Sequence, residues 1–296
     1  MVLKEPGQVL TPTTRLAAVL GSPISHSLSP VLHLAAYRAL GLSNWSYGMH
    51  EIKAPALRRF VAGLGPQWAG LSLTMPLKEA AFEVADEVSD LAREVGAINT
   101  LLRRPDGGWS GENTDVYGVS QALREAGCAH TSSAVVLGSG ATARSVVAAL
   151  ASLGCTKVTF AVRSAARQET LDQAGRAGLE VHVVRLLQVA EQLADTRVVV
   201  STLPMNALPG NILPEKALTA RVFPKGPRPT GPLLLDVVYT GWPTPLARTF
   251  HEAGGIAVSG LEMLVHQAAK QVHLMTGLCP PVDEMRAAGL AAMGSR

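Results

Sequence analysis

A glycine-rich turn near the middle of the sequence has the spacing that binds phosphate groups. Residues 138–143 read GSGATA and fit the pattern G-x-G-x-x-G/A. In this pattern Gly138 allows a tight turn, Gly140 lets the backbone approach a pyrophosphate, and the small Ala143 lets the next helix pack closely on the strand. The phosphates would bind unpaired N–H groups at the helix start, with Ser139, Ala141 and Thr142 completing the site. The turn predicts dinucleotide binding, and an ordinary strand-to-helix turn is the alternative.

Side chains after the next predicted strand indicate which dinucleotide would bind. Arg163, Ser164 and Arg167 lie about 20 residues beyond the glycines, where an NAD site usually carries an acid and an NADP site an arginine. Guanidinium groups and a hydroxyl suit the 2′-phosphate of NADP, and no acidic residue occurs between this strand and Glu169. NADP is therefore favoured over NAD. The alternative is a pair of arginines on a solvated helix start.

Polar side chains also gather where strands of the N-terminal half are predicted to end. Thr74 and Lys78 follow one strand, Asp115 opens a helix, and Ser27 and Ser29 lie in a proline- and serine-rich loop. Each has a structural alternative. Lys78 could be a surface lysine at a helix start, Asp115 a cap, and Ser29 an N-cap before proline. Capping requires one hydroxyl, however, and the loop offers more.

Strands and helices alternate along the chain around these residues. Strands at 134–137 and 157–162 with the helix between them complete a β-α-β unit around the glycine turn. The N-terminal half alternates strands at 15–20, 45–52 and 70–74 with helices at 31–40 and 54–64. Later elements are predicted at 116–126, 180–184, 198–204, 233–239, 257–260 and 265–275, with a turn at 105–108. This order predicts an α/β fold with a mostly parallel sheet, whose carboxyl edge collects ligand-binding loops.

Length and composition predict two ordinary domains without a nucleic-acid surface. The 296 residues are 47% hydrophobic, which provides material for two cores. The net charge of +3 and the pI near 8.9 are mildly basic, but the basic residues are scattered and only 4% of residues are aromatic. Small anions are therefore expected as partners, with no nucleic acid and no membrane.

Cysteine and histidine spacing predicts neither disulfides nor a metal site. Cys128, Cys155 and Cys279 are odd in number and far apart, which indicates buried thiols in a reducing, cytoplasmic compartment. The eight histidines are dispersed, so no metal is expected. No apolar run approaches the ~18 residues of a membrane span. Residues 1–14 are expected to form a loose leader.

Eight short strings, taken together, identify a family. They are SPISHSLSP, LSLTMPLK, GAINTL, GENTDVYG, LGSGATAR, LLDVVY with PTPL, and SGLEMLVHQA. These strings lie between Gly21 and about Gly277. In sequence and in order they resemble the motifs of shikimate dehydrogenase. The resemblance implies a substrate domain over 1–114, a Rossmann-like NADP domain over 115–259, and helices over 260–296 that return to the first domain.

The resemblance also implies the reaction and its residues. The reaction is reversible hydride transfer between NADPH and 3-dehydroshikimate, which gives shikimate, an aromatic amino acid precursor. The catalytic pair falls on Lys78 and Asp115, which would orient the reacting oxygen and exchange a proton; which of them carries the proton stays open. The substrate residues are Ser27 and Ser29 for the carboxylate with Tyr239 nearby, and Thr74, Asn99, Asp115 and Gln267 for the ring hydroxyls. The cofactor residues are Gly138 to Thr142 for the pyrophosphate, Arg163, Ser164 and Arg167 for the 2′-phosphate, and Val237 and Gly260 beside the nicotinamide.

The chain departs from the family pattern at three places. Ser72 replaces a usual Asn, residues 201–204 (STLP) replace Asn-Ala-Thr-Pro, and Glu262 replaces a common Gly. These departures leave fine substrate choice and nicotinamide positioning open.

Three other functions are also compatible with these residues. A quinate or quinate/shikimate dehydrogenase that prefers NAD is one, and the two arginines argue against it. A two-domain NADP enzyme of one-carbon metabolism is another, and the paired serines and the Asn-Thr-Asp segment argue against that. A non-catalytic sensor of NADP would not need Lys78 and Asp115 in one cleft. Oligomeric state, monomer or homodimer, is not determined.

Overall fold

The computed structural model describes residues 14–193, 196–204, 207 and 232–294. The leader predicted over residues 1–14 lies outside the described residues except for Thr14. The described chain forms two six-stranded sheets with helices packed on them.

The N-terminal half forms the first sheet. Its strands are β1 (Arg15–Gly21), β2 (Trp45–Glu51), β3 (Trp68–Leu73), β4 (Glu87–Val88), β5 (Thr100–Arg103) and β6 (Trp109–Glu112). They follow the order β2-β1-β3-β5-β6-β4. Strand β1 pairs in parallel with β2 and β3, as predicted, whereas β5 is antiparallel to β3 and β6. The carboxyl ends of β1 and β3 therefore lie side by side, and the loops that follow them share one edge.

The second sheet is parallel throughout its described pairings. Its strands are β7 (Ser133–Leu137), β8 (Lys157–Val162), β9 (Glu180–Arg185), β10 (Val198–Ser201), β11 (Leu233–Asp236) and β12 (Ile256–Ser259). Their order is β12-β11-β10-β7-β8-β9. Strands β7, β10 and β11 are apolar and buried along almost their whole length, as expected for a parallel sheet covered on both faces. The strand order reverses direction between β7 and β10, and ligands of such sheets bind at this switch point.

Helices cover both sheets. They are α1 (Ser29–Ala39), α2 (Leu57–Ala62), α3 (Leu77–Ala80), α4 (Asp90–Val95), α5 (Asp115–Glu125), α6 (Ala141–Ser152), α7 (Gln168–Arg176), α8 (Val189–Leu193), α9 (Pro245–Glu252), α10 (Gly260–Thr276) and α11 (Val282–Gly294). No helix in the described part of the chain is long and apolar enough to cross a membrane.

Helix α10 joins the two halves of the molecule. Val265 and Val272 pack in the core beneath α1 and β1, whereas Met263 packs in the core of the second sheet. Helices α5 and α10 approach so closely that a Cβ at Gly118 would lie 2.6 Å from the carbonyl oxygen of Met263. The predicted return of a C-terminal helix to the first sheet is confirmed.

Some local details differ from the sequence predictions. The N-cap role that was the alternative for Ser29 is not observed, because α1 begins at Ser29 itself and the cap residue is Leu28. The helix predicted over 54–64 is a 3₁₀ turn at Ala54–Ala56 followed by the short α2. Cys128 and Cys155 are buried free thiols, but Cys279 is exposed.

The buried imidazole of His33 makes stability depend on pH. His33 in α1 is fully buried, and its Nδ1 lies 2.9 Å from the Ser29 carbonyl oxygen. Burial lowers the pKa of His33 from 6.5 to about 4. The unfolded chain therefore binds one more proton than the folded chain between these pH values. The free energy of unfolding is therefore at its full value, as far as this group is concerned, above pH 6.5, and it decreases as the pH falls towards 4.

We expect the His33→Gln variant to lose less stability on acidification than the unmodified protein. The difference in the free energy of unfolding between pH 7 and pH 4 should be smaller by about 2–3 kcal/mol. Urea unfolding at both pH values measures it. Identical pH dependence of the two proteins would contradict the prediction.

Candidate active site

The first cavity opens between the two sheets, beside the carboxyl ends of β1 and β3, and has a volume of about 250 Å³. Its wall contains most of the predicted substrate residues: Ser27, Ser29, Thr74, Lys78, Asp115, Tyr239 and Gln267. Other parts of the wall were not predicted as site residues and include Pro23, Ile24, His26, Ser72, Leu73, Met263 and Leu264. Ile24 and His26 belong to the same serine-rich loop, so their place in that loop was the available signal.

Lys78 and Asp115 form an ion pair on the cavity wall. Lys78 belongs to α3 directly after β3, and its Nζ lies 2.5 Å from Oδ2 of Asp115, the first residue of α5. The Asp115 side chain is 1% exposed and that of Lys78 is 13% exposed. A lysine and a carboxylate held this closely can orient a ligand hydroxyl and exchange its proton. The capping role that was the alternative for Asp115 is not observed, because α5 has no side-chain cap.

Asn99 lies behind this pair rather than on the cavity wall. Its Nδ2 donates to Oδ1 of Asp115 at 2.8 Å, and its Oδ1 accepts hydrogen bonds from Thr100 Oγ1 and the Thr114 backbone N–H at 2.8 Å. The residue is fully buried. The substrate contact predicted for Asn99 stays a prediction, whereas the observed contacts orient the Asp115 carboxylate.

The serine-rich loop shapes one end of the cavity. The hydroxyl oxygen of Ser27 accepts a hydrogen bond from the Ser29 backbone N–H at 3.2 Å. The buried Ser29 is the first residue of α1. Both serines therefore line the cavity from a turn that their own backbone and side chains hold in place.

A second cavity of about 570 Å³ begins at the glycine turn after β7. The predicted cofactor residues on its wall are Gly138, Ser139, Gly140, Ala141, Thr142, Arg163, Ser164 and Arg167. Thr74, Lys78 and Thr142 line both cavities, so the two spaces meet at the ion pair. An elongated ligand in the second cavity would thus reach a small ligand in the first.

The glycine turn has the geometry that its sequence predicts. Gly138 has φ +97°, and a Cβ there would lie 2.7 Å from Oγ1 of Thr202. Nothing lies within 4 Å of the Cβ position at Gly140, which leaves space for a ligand beside the backbone. Ala143 is fully buried beneath the turn. The cradle therefore fits a pyrophosphate at the start of α6.

The arginines predicted for the 2′-phosphate lie at the far end of the second cavity. The Ser139 hydroxyl accepts from the Arg167 backbone N–H at 3.0 Å, and the Ser139 carbonyl accepts from Thr170 Oγ1 at 2.8 Å. These bonds fix the start of α7 to the glycine turn. The guanidinium groups of Arg163 and Arg167 are exposed and have no ion pair within the described ranges, so they are free to bind an anion.

Val237 and Gly260 line the first cavity together with Thr142. Their backbones are in close approach, since a Cβ at Gly260 would overlap the Val237 carbonyl group. Gly260 N also donates to the Val238 carbonyl at 3.3 Å. Contact of these residues with a nicotinamide stays a prediction.

The two departures at single residues, Ser72 and Glu262, both have side-chain hydrogen-bond partners. Ser72 Oγ accepts a hydrogen bond from the Tyr47 hydroxyl at 2.6 Å and donates to Gln271 Oε1 at 2.9 Å. Glu262 Oε2 accepts from Nε of Arg286 in α11 at 2.8 Å. Glu262 also lies close to Glu125 and His266, with possible ligand atoms within 4.8 Å of one another, but Arg286 pairs with both carboxylates.

The third departure, residues 201–204, follows strand β10. Thr202 Oγ1 donates to the Leu137 carbonyl at 2.8 Å, and Leu203 and Pro204 line the second cavity. Ser201 hydrogen-bonds the buried Asp236, whose pKa is nevertheless raised by burial. The changed segment thus still forms part of the cavity wall.

Arg144 connects the two halves beside the site, although it was not predicted as a site residue. Its NH2 group donates to Oε1 of Glu79 at 2.6 Å and to the Gly96 carbonyl at 2.9 Å. The Arg144 side chain is 5% exposed. Because Glu79 is next to Lys78 and Arg144 follows the glycine turn, this contact fixes the two site-bearing helices, α3 and α6, to each other. Its place in LGSGATAR was the only signal.

Comparison with known families accounts for this arrangement. The model for the shikimate dehydrogenase substrate binding domain matches residues 19–101, shikimate / quinate 5-dehydrogenase matches 120–237, and the shikimate 5′-dehydrogenase C-terminal domain matches 260–288. The shikimate dehydrogenase (NADP(+)) of Synechococcus sp. (strain JA-2-3B'a(2-13)) is 35% identical over 279 residues, which cover 93% of this chain and 95% of that protein. The chain belongs to the shikimate dehydrogenase family. The resemblance stated from the sequence is confirmed.

Solved structures of the family have the same fold. The shikimate dehydrogenase of Mycobacterium tuberculosis matches with TM-score 0.82 and 42% identity, covering 94% of this chain and 99% of that one. The shikimate 5-dehydrogenase of Thermus thermophilus in complex with NADP(H) and shikimate matches with TM-score 0.78 and 32% identity, covering 94% and 100%. The predicted two-domain α/β architecture is therefore confirmed.

We expect Gly260→Ala to destabilise the protein by about 1–3 kcal/mol, because the new methyl group overlaps the Val237 backbone and forces the strand end to move. The matched control is Gly175→Ala in α7, where nothing lies within 4 Å of the Cβ position and alanine favours the helix. Chemical denaturation of both variants measures the difference. Equal stability of the two would show that the close approach at Gly260 is not a constraint.

Proposed function

We propose that this protein is an NADP-dependent oxidoreductase that interconverts 3-dehydroshikimate and shikimate, a step of the shikimate pathway. The observation that carries the proposal is the Lys78–Asp115 ion pair at the junction of the two cavities. A sensor of NADP would need only the second cavity. A reductase needs a proton donor where the cavities meet.

The second cavity fits NADP in shape and charge. Residues 138–142 would hold the pyrophosphate, and Arg163, Ser164 and Arg167 would hold the 2′-phosphate. When bound, NADPH supplies the hydride that reduces the substrate carbonyl. The residues shared by both cavities would keep the reacting ends of the two ligands together.

Lys78 and Asp115 would act on the substrate oxygen. Arrival of a hydride at the carbonyl carbon leaves negative charge on that oxygen, which must be protonated or stabilised at once. The ammonium of Lys78 can donate to this oxygen, and Asp115 keeps the ammonium in place at 2.5 Å. In the oxidation direction the same groups would accept the hydroxyl proton.

The remaining wall residues suit a carboxylated ring with several hydroxyls. Ser27 and Ser29 offer hydroxyl groups at one end of the cavity and would hold the carboxylate, with Tyr239 nearby on the wall. Thr74, Gln267 and Asp115 would hold ring hydroxyls. Such hydrogen-bonding groups, most of them neutral, favour a polar ring over an apolar ligand.

The domain boundaries at 114/115 and 259/260, a monomeric or homodimeric state and a cytoplasmic location form part of the same proposal. In support of the boundaries, α5 begins at Asp115 and packs in the core of the second sheet, and α10 begins at Gly260 and packs in the cores of both sheets. Light scattering of the purified protein would measure the oligomeric state.

The test is the initial rate of nicotinamide reduction with shikimate or quinate and with NADP or NAD, in all four combinations. Fast turnover with shikimate and NADP alone is expected. Quinate with NAD as the best pair would favour a quinate dehydrogenase. Binding of NADP without turnover in any pair would favour the sensor.

We expect Lys78→Ala to lower kcat by about 10²–10⁴-fold, because the proton donor is lost, while shikimate affinity measured by calorimetry changes little. Lys53→Ala removes the same charge from an exposed position outside both cavities and is the control. Turnover of Lys78→Ala comparable to that of the control would exclude the assigned role.

We expect Arg163→Ala to raise KM for NADP by about tenfold or more and to leave KM for NAD nearly unchanged, because only NADP carries the 2′-phosphate. Arg176→Ala, an exposed arginine of α7 that does not line the cavity, provides the charge-matched control. An equal increase for both cofactors would refute the 2′-phosphate assignment.

A further inference from the structure

A line of buried polar side chains runs from strand β2, far from the catalytic pair, to the Asp115 carboxylate. The Tyr47 hydroxyl donates to Ser72 Oγ at 2.6 Å, and Ser72 Oγ donates to Gln271 Oε1 at 2.9 Å. Gln271 Nε2 donates to Thr100 Oγ1 at 2.8 Å. The line then continues through Asn99 to Asp115, with Thr100 Oγ1 donating to Asn99 Oδ1 and Asn99 Nδ2 donating to Asp115 Oδ1, both at 2.8 Å.

Every donor in this line points the same way, towards the carboxylate. Asp115 has no hydrogen to give when ionised, so Asn99 must present its NH₂ group there and its carbonyl oxygen to Thr100. Thr100 must in turn accept from Gln271, which leaves the carbonyl oxygen of Gln271 to accept from Ser72. Hydrogen bonds aligned in this way polarise and strengthen one another.

The outer end of the line is rigid. The Tyr47 ring stacks on His33 with ring centroids 3.9 Å apart and an interplanar angle of 19°. Burial raises the pKa of the Tyr47 phenol, although hydrogen bonds with Ser72 and Ser29 act in the opposite direction. Tyr47 therefore stays protonated, and it contacts two serines that line the first cavity.

We propose that Tyr47 and Gln271 are positioning residues of the substrate cavity, which fix the Ser72 hydroxyl and, through Thr100 and Asn99, the Asp115 carboxylate. The proposal rests on the proposed function, since it assigns this cavity to shikimate. Neither residue lines the cavity. They act through the residues that do.

The direction of the bonds sets what Ser72 can bind. Its proton is committed to Gln271 and one lone pair to Tyr47, so a single lone pair remains for a ligand. Ser72 can thus accept a hydrogen bond from a substrate hydroxyl but cannot donate one to a carboxylate or ketone. This acceptor-only serine stands where the family usually has Asn, whose amide could also donate. The position therefore selects for a ring hydroxyl.

The first test compares Tyr47→Phe with Tyr37→Phe. Tyr37 is a neighbouring buried tyrosine whose hydroxyl has no hydrogen-bond partner among the described residues, so the control removes the same atom without touching the line. We expect Tyr47→Phe to raise KM for shikimate by about threefold to tenfold, the effect of one lost hydrogen bond, with KM for NADP unchanged. Tyr37→Phe should leave both constants unchanged.

The second test is Gln271→Met, which keeps the side-chain length and removes both polar atoms. We expect it to lower kcat by about tenfold, because Asn99 and Asp115 lose their fixed orientation, while KM for NADP stays unchanged. Unfolding midpoints of all variants show whether each protein is folded. This test does not depend on the aromatic stack at His33.

The outcomes separate this inference from the proposed function. Unmodified protein that does not turn over shikimate would overturn both. Active unmodified protein with equal shikimate KM for the Tyr47→Phe and Tyr37→Phe variants, or an unchanged kcat for Gln271→Met, would overturn the positioning role alone. A change in KM for NADP equal to that for shikimate would indicate general loosening of the fold and would also overturn it.

Discussion

The buried ion pair between Lys78 and Asp115 is the constraint on which the rest of the site depends. Removing two charges from water costs several kcal/mol for each ion unless their geometry is good and other hydrogen bonds support them. Here the pair distance is 2.5 Å, and Asn99 donates to the second carboxylate oxygen at 2.8 Å. The two charges come from separate elements, α3 and α5. The pair therefore exists only if the first sheet brings the ends of β3 and β6 together.

Two contacts then relate this pair to the second cavity. Helix α10 packs in both cores and carries Gln267 to the cavity wall and Gln271 to the buried hydrogen-bond line. Arg144 joins the helix after the glycine turn to Glu79, the residue next to Lys78. Because Arg144 and Gln271 are buried side chains with few alternative arrangements, the cavities meet at a defined point. Transfer chemistry between two ligands requires such a fixed junction.

Much of this arrangement was predictable from local patterns. The strand, glycine turn and helix around Gly138 follow from residue types alone. The turn requires glycine at this position, because φ is +97° and a Cβ would lie 2.7 Å from Thr202 Oγ1. The short α4 and β4 were missed, since elements of a few residues carry little periodicity. Ser29 fitted a cap by its sequence but is the first residue of α1 and contributes to the cavity wall instead.

The sequence by itself determined the order of the elements, the phosphate-binding turn, the arginines beyond it and, through its short strings, the family. Those features depend on near neighbours in the chain. Only the tertiary structure decided that Asn99 lies behind Asp115, that Gln271 bonds Ser72, and that Arg144 reaches Glu79. Each of these contacts joins residues distant in sequence, 199 positions apart for Ser72 and Gln271. A buried polar group forms its hydrogen bond with the side chain that tertiary packing places next to it. No local sequence pattern specifies that side chain.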